Sequence, residues 1–482
     1  MLVDRDLVSH ILIILFIVMQ IVYLLTFLVD AYLFTRPVNI VDMKRVPSLD
    51  RGNLPPVVLF YPVLRELEET MRTTLTSLAA LDYPPDRRRV IAVPNADDRD
   101  TVASLRRLQR DFPFLEMLEV PPTSDPSWQT VWRAWDNNLN AHWWHQGVRA
   151  RDADLPPKKT RQLIYAFYRT VDEAPGSDFL VNYIDADSCP PRDHFLAGAL
   201  GMQDYDVLQS TNIAGNLNAS MAASWHAFDH MTWDGRKYAH LSADGRHPYW
   251  VLGKGLFFRA SDLLTLGSFH PWITIEDPEV GMRFWANGKR LGIIEAPLIE
   301  EVPVTLARGI RQRKRWVCGF YQSLSLPTTR ALGLTAGQRL KAWMNFFPCL
   351  SLWVNALGLP TGLWALITFI DHRGPLPEWT LWLSAFNVAA LVLSLVTLYW
   401  STWKRTALVL DRRRDRLWYM IRVNPVSLMI WWLIWLIPLA IGWRMYRRDQ
   451  GLVWDRTEKI DANAALVRTH IVRPDRTRGA PV

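Results

Sequence analysis

The chain has 482 residues, of which 49% are hydrophobic and 24 are Trp, and its formal net charge is +8 at pH 7. This length exceeds that of one small domain and the Trp content is high for a soluble enzyme, so the composition argues against a single soluble domain and indicates membrane contact. The positive charge suits anionic lipid or an anionic substrate and does not distinguish them. Three widely separated cysteines, Cys189, Cys318 and Cys349, exclude a disulfide framework and a zinc-type spacing.

The first predicted element is an uncharged apolar run at residues 11–29. It is close to the ~20 residues that a helix needs to cross a bilayer, and no small-residue cleavage site follows it. We therefore expect an uncleaved membrane anchor over residues 1–34, with a cleaved signal peptide as the alternative.

The next part of the chain alternates strand and helix patterns. Short apolar runs at 56–60, 89–93, 114–120 and 179–187 predict buried strands, and apolar residues at helical spacing between them predict helices. Such alternation predicts an α/β fold with a mostly parallel sheet covered by helices on both faces. Residues 121–157 are rich in Pro, Trp and Asp, which predicts an irregular insertion.

Acidic residues follow two of these predicted strands. Asp97 and Asp98 come after the second strand, and Asp185 and Asp187 end the last one. Ligands of such sheets bind at the carboxyl ends of strands, and residues two apart in an extended segment share a side. Asp185 and Asp187 can thus face one ligand, and two carboxylates suit Mg²⁺ or Mn²⁺ with a diphosphate. Taken alone, Asp97 and Asp98 are equally typical of a loop or a helix cap.

Two further motifs lie nearer the C-terminus. Glu276 and Asp277 precede a helix pattern, where acids also suit the helix dipole. Gln312, Arg315 and Trp316 lie in and directly after a cationic run ahead of apolar stretches. By itself this run is typical of a positive flank beside a membrane. Residues 332–347 after it predict a helix lying at the membrane interface.

Three more apolar stretches, at 343–370, 379–403 and 423–443, bring the candidate membrane spans to four. Basic loops follow the first and third spans, so we expect those loops and the domain between them to be cytoplasmic. The basic residues after the last span place the tail on the same side, which disagrees with a fourth full crossing. Interruption by Pro and Gly makes 343–370 the best candidate for a re-entrant or split segment.

The order of these motifs resembles that of membrane-embedded family 2 glycosyltransferases, such as the catalytic subunit of bacterial cellulose synthase and hyaluronan synthase. Their pattern of D, D-x-D, E-D and Q-x-x-R-W is matched at Asp97/Asp98, at 185–187, at 276–277 and at 312–316. Three features depart from it. Ile275 replaces the usual Thr before Glu-Asp. The usual V-D-D-G-S stretch is V-P-N-A-D-D-R-D here, and the helix around Lys159 keeps the family sequence only faintly.

The resemblance implies a GT-A type (Rossmann-like) domain and a metal-dependent, inverting hexosyltransferase that uses a nucleotide sugar, most often UDP-linked. The roles that it implies are catalysis by Asp277 with Glu276, donor binding by Asp97, Asp98, Asp185, Lys159, Gln312 and Arg315, binding of Mg²⁺ or Mn²⁺ by Asp187 and Asp185, and acceptor stacking on Trp316. Whether Asn95, Asp97 or Asp98 holds the nucleobase position stays open. We expect Arg311, Arg313 and Lys314 to be solvated or lipid-facing.

The expected organisation is an anchor (1–34), a cytoplasmic GT-A domain (52–330), an interfacial helix with C-terminal membrane helices (331–447) and a tail (448–482). In that tail, residues 454–457 resemble a gating segment of such enzymes. We expect a multi-pass protein of the inner (plasma) membrane that elongates a β-linked polysaccharide. Its partners would be the donor, a glycan or glycolipid acceptor, the lipid bilayer and accessory export proteins, with no nucleic acid.

Two alternative functions stay open. One is a transferase that adds one or a few sugars to a membrane lipid by the same chemistry. The other is a non-catalytic membrane scaffold, against which the intact acidic motifs argue. The sequence does not fix the sugar or the linkage.

Overall fold

A seven-stranded sheet forms the centre of the computed structural model, which describes residues 5–174, 176–233, 238–241, 251–325, 332–344, 358, 362–364, 367, 378–450 and 459–472. The strands are β1 (Val57–Val63), β2 (Arg88–Pro94), β3 (Leu115–Met117), β4 (Leu180–Tyr183), β5 (Val207–Ala214), β6 (Leu256–Arg259) and β7 (Leu291–Glu300). Their order is β3-β2-β1-β4-β6-β5-β7. All neighbours are parallel except β6, which is antiparallel to β4 and β5, so the prediction of a mostly parallel sheet is confirmed.

Helices connect the strands and cover both faces of the sheet. They are α1 (Arg5–Phe34), α2 (Glu68–Ala79), α3 (Arg99–Asp111), α4 (Gln129–Asp136), α5 (His142–His145), α6 (Lys159–Glu173), α7 (His194–Gly201), α8 (Met221–Thr232), α9 (Tyr238–Leu241), α10 (Ala260–Thr265), α11 (Asp277–Ala286) and α12 (Leu306–Ser325). After these come α13 (Glu378–Thr406), α14 (Arg413–Arg422), α15 (Pro425–Ile434), α16 (Leu436–Arg447) and α17 (Ala464–Val467). Residues 336–344, inside the predicted interfacial helix, are also helical.

The side-chain alternation of β1 shows how the sheet separates two apolar layers. Val58 and Phe60 pack into one cluster of buried residues, whereas Leu59 and Tyr61 pack into the other. This is expected for a strand covered by helices on both faces, since neighbouring side chains point to opposite sides. Phe60 lies level with Tyr183 of β4, so the carboxyl ends of these two strands meet at one edge.

The segment at 121–157 differs from the prediction of an irregular insertion. It contains α4 and α5, and its Trp side chains form a packed cluster. The rings of Trp132 and Trp144 stack 5.1 Å apart, and Trp128 stacks 5.3 Å from Trp132. Aromatic burial of this kind stabilises short helices that would be marginal alone. The Pro and Asp content of the segment did not predict these helices, because their stability comes from packing between Trp rings.

Three helices in the described part of the chain are long and apolar enough to cross a membrane: His10–Val29, Glu378–Thr406 and Pro425–Arg447. They match three of the four predicted spans, and the last comprises α15 and α16. The fourth prediction, at 343–370, falls mostly outside the described residues, as does the gating-like segment at 454–457. The Asn387 amide of α13 donates hydrogen bonds to Gln20 of α1, which joins two of the apolar helices.

Candidate active site

A cavity of ≈ 210 Å³ lies at the carboxyl ends of β1 and β4, and residues of α12 also line it. Eight of the ten predicted site residues line it: Lys159, Asp185, Asp187, Glu276, Asp277, Gln312, Arg315 and Trp316. These residues come from four separate stretches of sequence. As expected for acids at a strand end, Asp185 and Asp187 lie at this edge of the sheet, and Glu276 and Asp277 reach the same cavity from the start of α11.

An ion-pair cluster occupies one wall of the cavity. The Lys159 ammonium donates to Asp185 Oδ1 at 2.6 Å and lies 3.2 Å from Glu276 Oε1. It also donates to the carbonyl of Gly253, where a Cβ would stand 3.1 Å from the ammonium, so a larger residue there would crowd this contact. Burial opposes the charged carboxylate of Asp185, but the neighbouring ammonium of Lys159 lowers its pKa overall. Asp185 therefore stays ionised at neutral pH.

Asp277 has the opposite environment. It begins α11, with Pro278 in the first turn. Burial, together with the charge of Glu276, raises the pKa of Asp277 to about 8, although Lys159 acts in the other direction. A carboxylate with a pKa near neutrality can accept a proton and release it again, which is what a general base requires.

Ile275, which replaces the usual Thr, also lines the cavity. A Cβ at Gly319 of α12 would collide with the Ile275 side chain, so glycine at 319 lets the segment carrying Glu276 and Asp277 pack closely against α12. The substitution is thus accommodated by packing, and the two carboxylates remain at the cavity wall.

Asp187 lies on the neighbouring wall. Its Oδ2 accepts a hydrogen bond from the backbone N–H of Glu301 at 3.0 Å and from the Lys459 ammonium at 2.5 Å. Close by, Lys254 forms an ion pair with Glu300. Sequence analysis missed Lys254, Glu300, Glu301 and Lys459. Glu300 ends β7 and Glu301 follows it directly, so the strand-end rule that found Asp185 and Asp187 also applies to them.

Two hard carboxylates at the cavity wall fit the predicted divalent cation. Among the described residues, no set of three or more His, Cys, Asp and Glu side chains could hold a metal ion by itself. Mg²⁺ and Mn²⁺ do not need one, because such ions are commonly bound through one or two carboxylates together with substrate phosphates and water. Asp187 and Asp185 would supply those carboxylates.

Helix α12 also lines the cavity. Gln312, Arg315 and Trp316 lie three and four residues apart, so they share the helix face that lines the cavity. Gln312 Oε1 is buried without a hydrogen-bond partner in the described part of the chain, as expected for a group that awaits a ligand. The Trp316 ring stands edge-on to His230, with 5.9 Å between ring centroids.

The prediction that Arg313 is solvated or lipid-facing is wrong. Its side chain is fully buried and pairs with Asp229 of α8, with 2.7 Å between Nη2 and Oδ2. Its guanidinium also lies 4.9 Å from the ring of Trp431 and 5.2 Å from that of Trp435. Charge alone suggested a flank, but the partners lie on α8 and on the C-terminal apolar helices. Arg311 and Lys314 are partly exposed.

Asp97 and Asp98 are not among the residues that line the cavity. The Asp98 carboxylate caps α3, accepting hydrogen bonds from the backbone N–H and the hydroxyl of Thr101. It also accepts one from the backbone N–H of Arg65. Asp97 is exposed, whereas Asn95 is buried and accepts a hydrogen bond from Arg161 at 2.8 Å. Capping of α3 accounts for the position of Asp98, and donor roles for Asp97 and Asp98 stay predictions.

Comparison with solved structures supports the predicted GT-A type fold. A mannosyltransferase from Pyrobaculum calidifontis, solved in complex with GDP-Man and Mn²⁺, matches with a TM-score of 0.50 and 17% identity over 91% of this chain and 99% of that chain. S. aureus TarS 1-349 matches with a TM-score of 0.32 and 10% identity over 82% and 91% of the two chains. No curated protein matches this chain.

Most residues that line the cavity lie in the part of the chain that matches a family model. The model of glycosyl transferase family group 2 matches residues 180–445, which is more than half of the chain. This range contains Asp185, Asp187, Glu276 and Asp277, and it also contains all of α12. The chain belongs to glycosyl transferase family group 2.

Proposed function

We propose that this protein is an inverting hexosyltransferase of the membrane, which moves a sugar from a nucleotide-sugar donor to a growing β-linked polysaccharide. The observation that carries the proposal is one cavity lined by Asp185, Asp187 and Asp277 together with Arg315 and Trp316. The mannosyltransferase of similar fold binds GDP-Man and Mn²⁺, which supports a nucleotide-sugar donor and a divalent cation here.

The leaving diphosphate needs positive charge and hydrogen-bond donors. Arg315 lines the cavity, and its planar guanidinium suits two phosphate oxygens at once. A divalent cation held by Asp187 and Asp185 would neutralise the charge that develops on the leaving group. The ammonium of Lys159 holds Asp185 ionised for that role.

The acceptor hydroxyl needs a base. In the proposed reaction Asp277 takes the proton of that hydroxyl while the acceptor oxygen bonds to the anomeric carbon from the face opposite the phosphate. The bond between the anomeric carbon and the phosphate oxygen breaks, and the nucleoside diphosphate leaves with the electron pair. An α-linked donor thereby gives a β-linked product. A pKa of about 8 suits Asp277 for this proton transfer.

The acceptor side of the cavity is attached to the apolar C-terminal helices. Tyr321 of α12 packs edge-on against Trp443 of α16, with ring centroids 4.8 Å apart. A Cβ at Gly442 would stand 2.6 Å from Val317, so the two helices approach closely there. Because Trp316 lies on this same α12, an acceptor stacked on it would stand beside helices able to cross a membrane, which favours a product that grows at the bilayer.

Addition of one or a few sugars to a membrane lipid would use the same chemistry, so the acceptor must be tested directly. The purified protein, in lipid vesicles, is incubated with a panel of radiolabelled UDP- and GDP-linked sugars. Label retained at the origin of a gel supports a polysaccharide, and label extracted by organic solvent supports the lipid acceptor. Absence of transfer from every donor contradicts both.

A further inference from the structure

Residues 459–472, here called the C-terminal strap, lie against the cavity and place Lys459 inside it. The Lys459 ammonium contacts Asp187 Oδ2 at 2.5 Å and the backbone carbonyl of Glu301 at 3.3 Å. Its side chain is 12% exposed and that of Asp187 is 7% exposed. Lys459 is therefore an enclosed partner of Asp187, in contrast to a mobile surface lysine.

The strap is fixed by several independent contacts. The Glu301 carboxylate accepts hydrogen bonds from the backbone N–H groups of Ile460 at 2.9 Å and Ala462 at 2.5 Å. The Thr73 hydroxyl of α2 donates to Asp461 at 2.8 Å. Further along, Val467 and Ile471 are buried in the large apolar cluster. These contacts fix the position of Lys459, since the three residues that follow it are hydrogen-bonded to Glu301 and to Thr73.

Asp187 is thus occupied by a monovalent cation of the chain itself. Its Oδ2 receives both Lys459 and the Glu301 N–H, and the predicted divalent ion needs the same carboxylate. We propose that Lys459 is an internal competitor for the divalent cation at Asp187, so that metal binds weakly to the free enzyme and tightly only together with the nucleotide. This inference rests on the proposed function of the cavity.

The coupling follows from the charges. A metal ion that binds alone must either displace the Lys459 ammonium from Asp187 Oδ2 or share the carboxylate with it. Both are unfavourable in an enclosed cavity, because the ammonium then loses this partner or lies beside a second cation. When a nucleoside diphosphate binds as well, its negative oxygens compensate for both the metal and the displaced ammonium. Each ligand therefore improves the binding of the other by the same factor, and couplings of this kind are roughly 5–150-fold.

The test is a titration with Mn²⁺, in which electron paramagnetic resonance measures the free ion, without nucleotide and with saturating UDP or GDP. For the parent protein we expect weak binding alone and binding tighter by roughly 5–150-fold with the matching nucleotide. Lys459→Met removes the charge and keeps the length of the side chain. We expect it to bind Mn²⁺ more tightly without nucleotide and to show a smaller coupling, because only the part due to direct contact of the metal with the phosphates remains. Lys459→Arg should keep the parent pattern.

Lys289→Met is the matched control, because Lys289 forms a similar ion pair with Asp262 at 2.6 Å and neither residue lines the cavity. It should leave both affinities unchanged. Lys459→Gln replaces Lys459→Met if the latter does not fold, as judged by circular dichroism. If the parent binds Mn²⁺ tightly with nucleotide, and the variant without the Lys459 charge shows the same coupling, the inference about Lys459 is overturned and the proposed function is not. Absence of Mn²⁺ binding by the parent even with nucleotide would overturn the metal role in the proposed function.

Discussion

The two carboxylates nearest Lys159 differ in the direction in which their surroundings move their pKa values. The contact with Lys159 lowers the pKa of Asp185, whereas burial and the charge of Glu276 raise that of Asp277 to about 8. Titratable groups whose environments separate their pKa values in this way commonly take different roles in one reaction. Asp185 suits permanent negative charge beside a cation, and Asp277 suits proton transfer.

Replacement of Asp277, the proposed base, should reduce sugar transfer strongly. Asp277→Asn keeps the shape of the side chain and removes its ability to accept the proton. We expect the initial rate of sugar transfer to fall by roughly 10²–10⁴-fold while nucleotide binding is retained. Initial rates and nucleotide titrations at matched protein concentration would measure this. A variant with near-parental turnover would place the base elsewhere, and Glu276 would be tested next.

The pH dependence of sugar transfer should reflect the raised pKa of Asp277. Because a base must be deprotonated to act, the rate constant kcat/KM should rise as pH increases through about 8, where Asp277 loses its proton. Glu276 raises the pKa of Asp277, so Glu276→Gln should lower that pKa and move the rising limb of the profile to lower pH. A limb that stays in place in Glu276→Gln would show that another group controls it.

Among the secondary-structure elements, helix α12 lines the cavity with one face and contacts the C-terminal helices with another. Gln312, Arg315 and Trp316 line the cavity, while Arg313 points to Asp229 and the C-terminal helices. The carboxylate of Asp229 also accepts hydrogen bonds from the indole N–H groups of Trp431 at 3.0 Å and Trp435 at 3.2 Å. One buried ion pair therefore connects the cavity wall to the helices predicted to lie in the membrane.

Loss of this ion pair should be costly. Arg313→Ala leaves Asp229 buried with a charge and without its cation, and breaking a buried pair typically destabilises a protein by about 3–5 kcal/mol. We expect a clearly lower unfolding temperature in lipid or detergent and a loss of transfer activity. Arg311→Ala is the control, since Arg311 is partly exposed two residues away on the same helix. Equal thermal unfolding of the two variants would contradict the structural role of Arg313.

Some features of these elements were predictable from the sequence alone and others were not. Strand-end acids and the face of α12 were predictable, because local periodicity and parallel topology bring them together. The surroundings of Arg313 and Lys459 were not, since their partners lie 84 and 272 residues away and neither contact has a local signature. Likewise Asp98 matched a motif but caps α3, because a short acid before a helix satisfies the cap equally well.

At the scale of the whole molecule, an α/β domain is joined to apolar helices that present hydrophobic side chains outward. On α1 and α13 these include Ile14, Leu25, Trp382 and Leu393, each about half exposed or more. Large exposed apolar surfaces of this kind indicate a membrane or another partner. Likeness to the cellulose and hyaluronan synthases, the cytoplasmic orientation of the domain and accessory export proteins stay predictions.

The most direct test of the account is the dependence of sugar transfer on a divalent cation and on Asp277. Vesicles containing the parent protein or Asp277→Asn are given radiolabelled UDP- or GDP-linked sugars in EDTA, and Mg²⁺ or Mn²⁺ is then added back. We expect the parent to form labelled product when the cation is present and no labelled product in EDTA. We expect Asp277→Asn to form little labelled product in either condition. Full activity of the parent in EDTA, or of Asp277→Asn with the cation, would contradict this account.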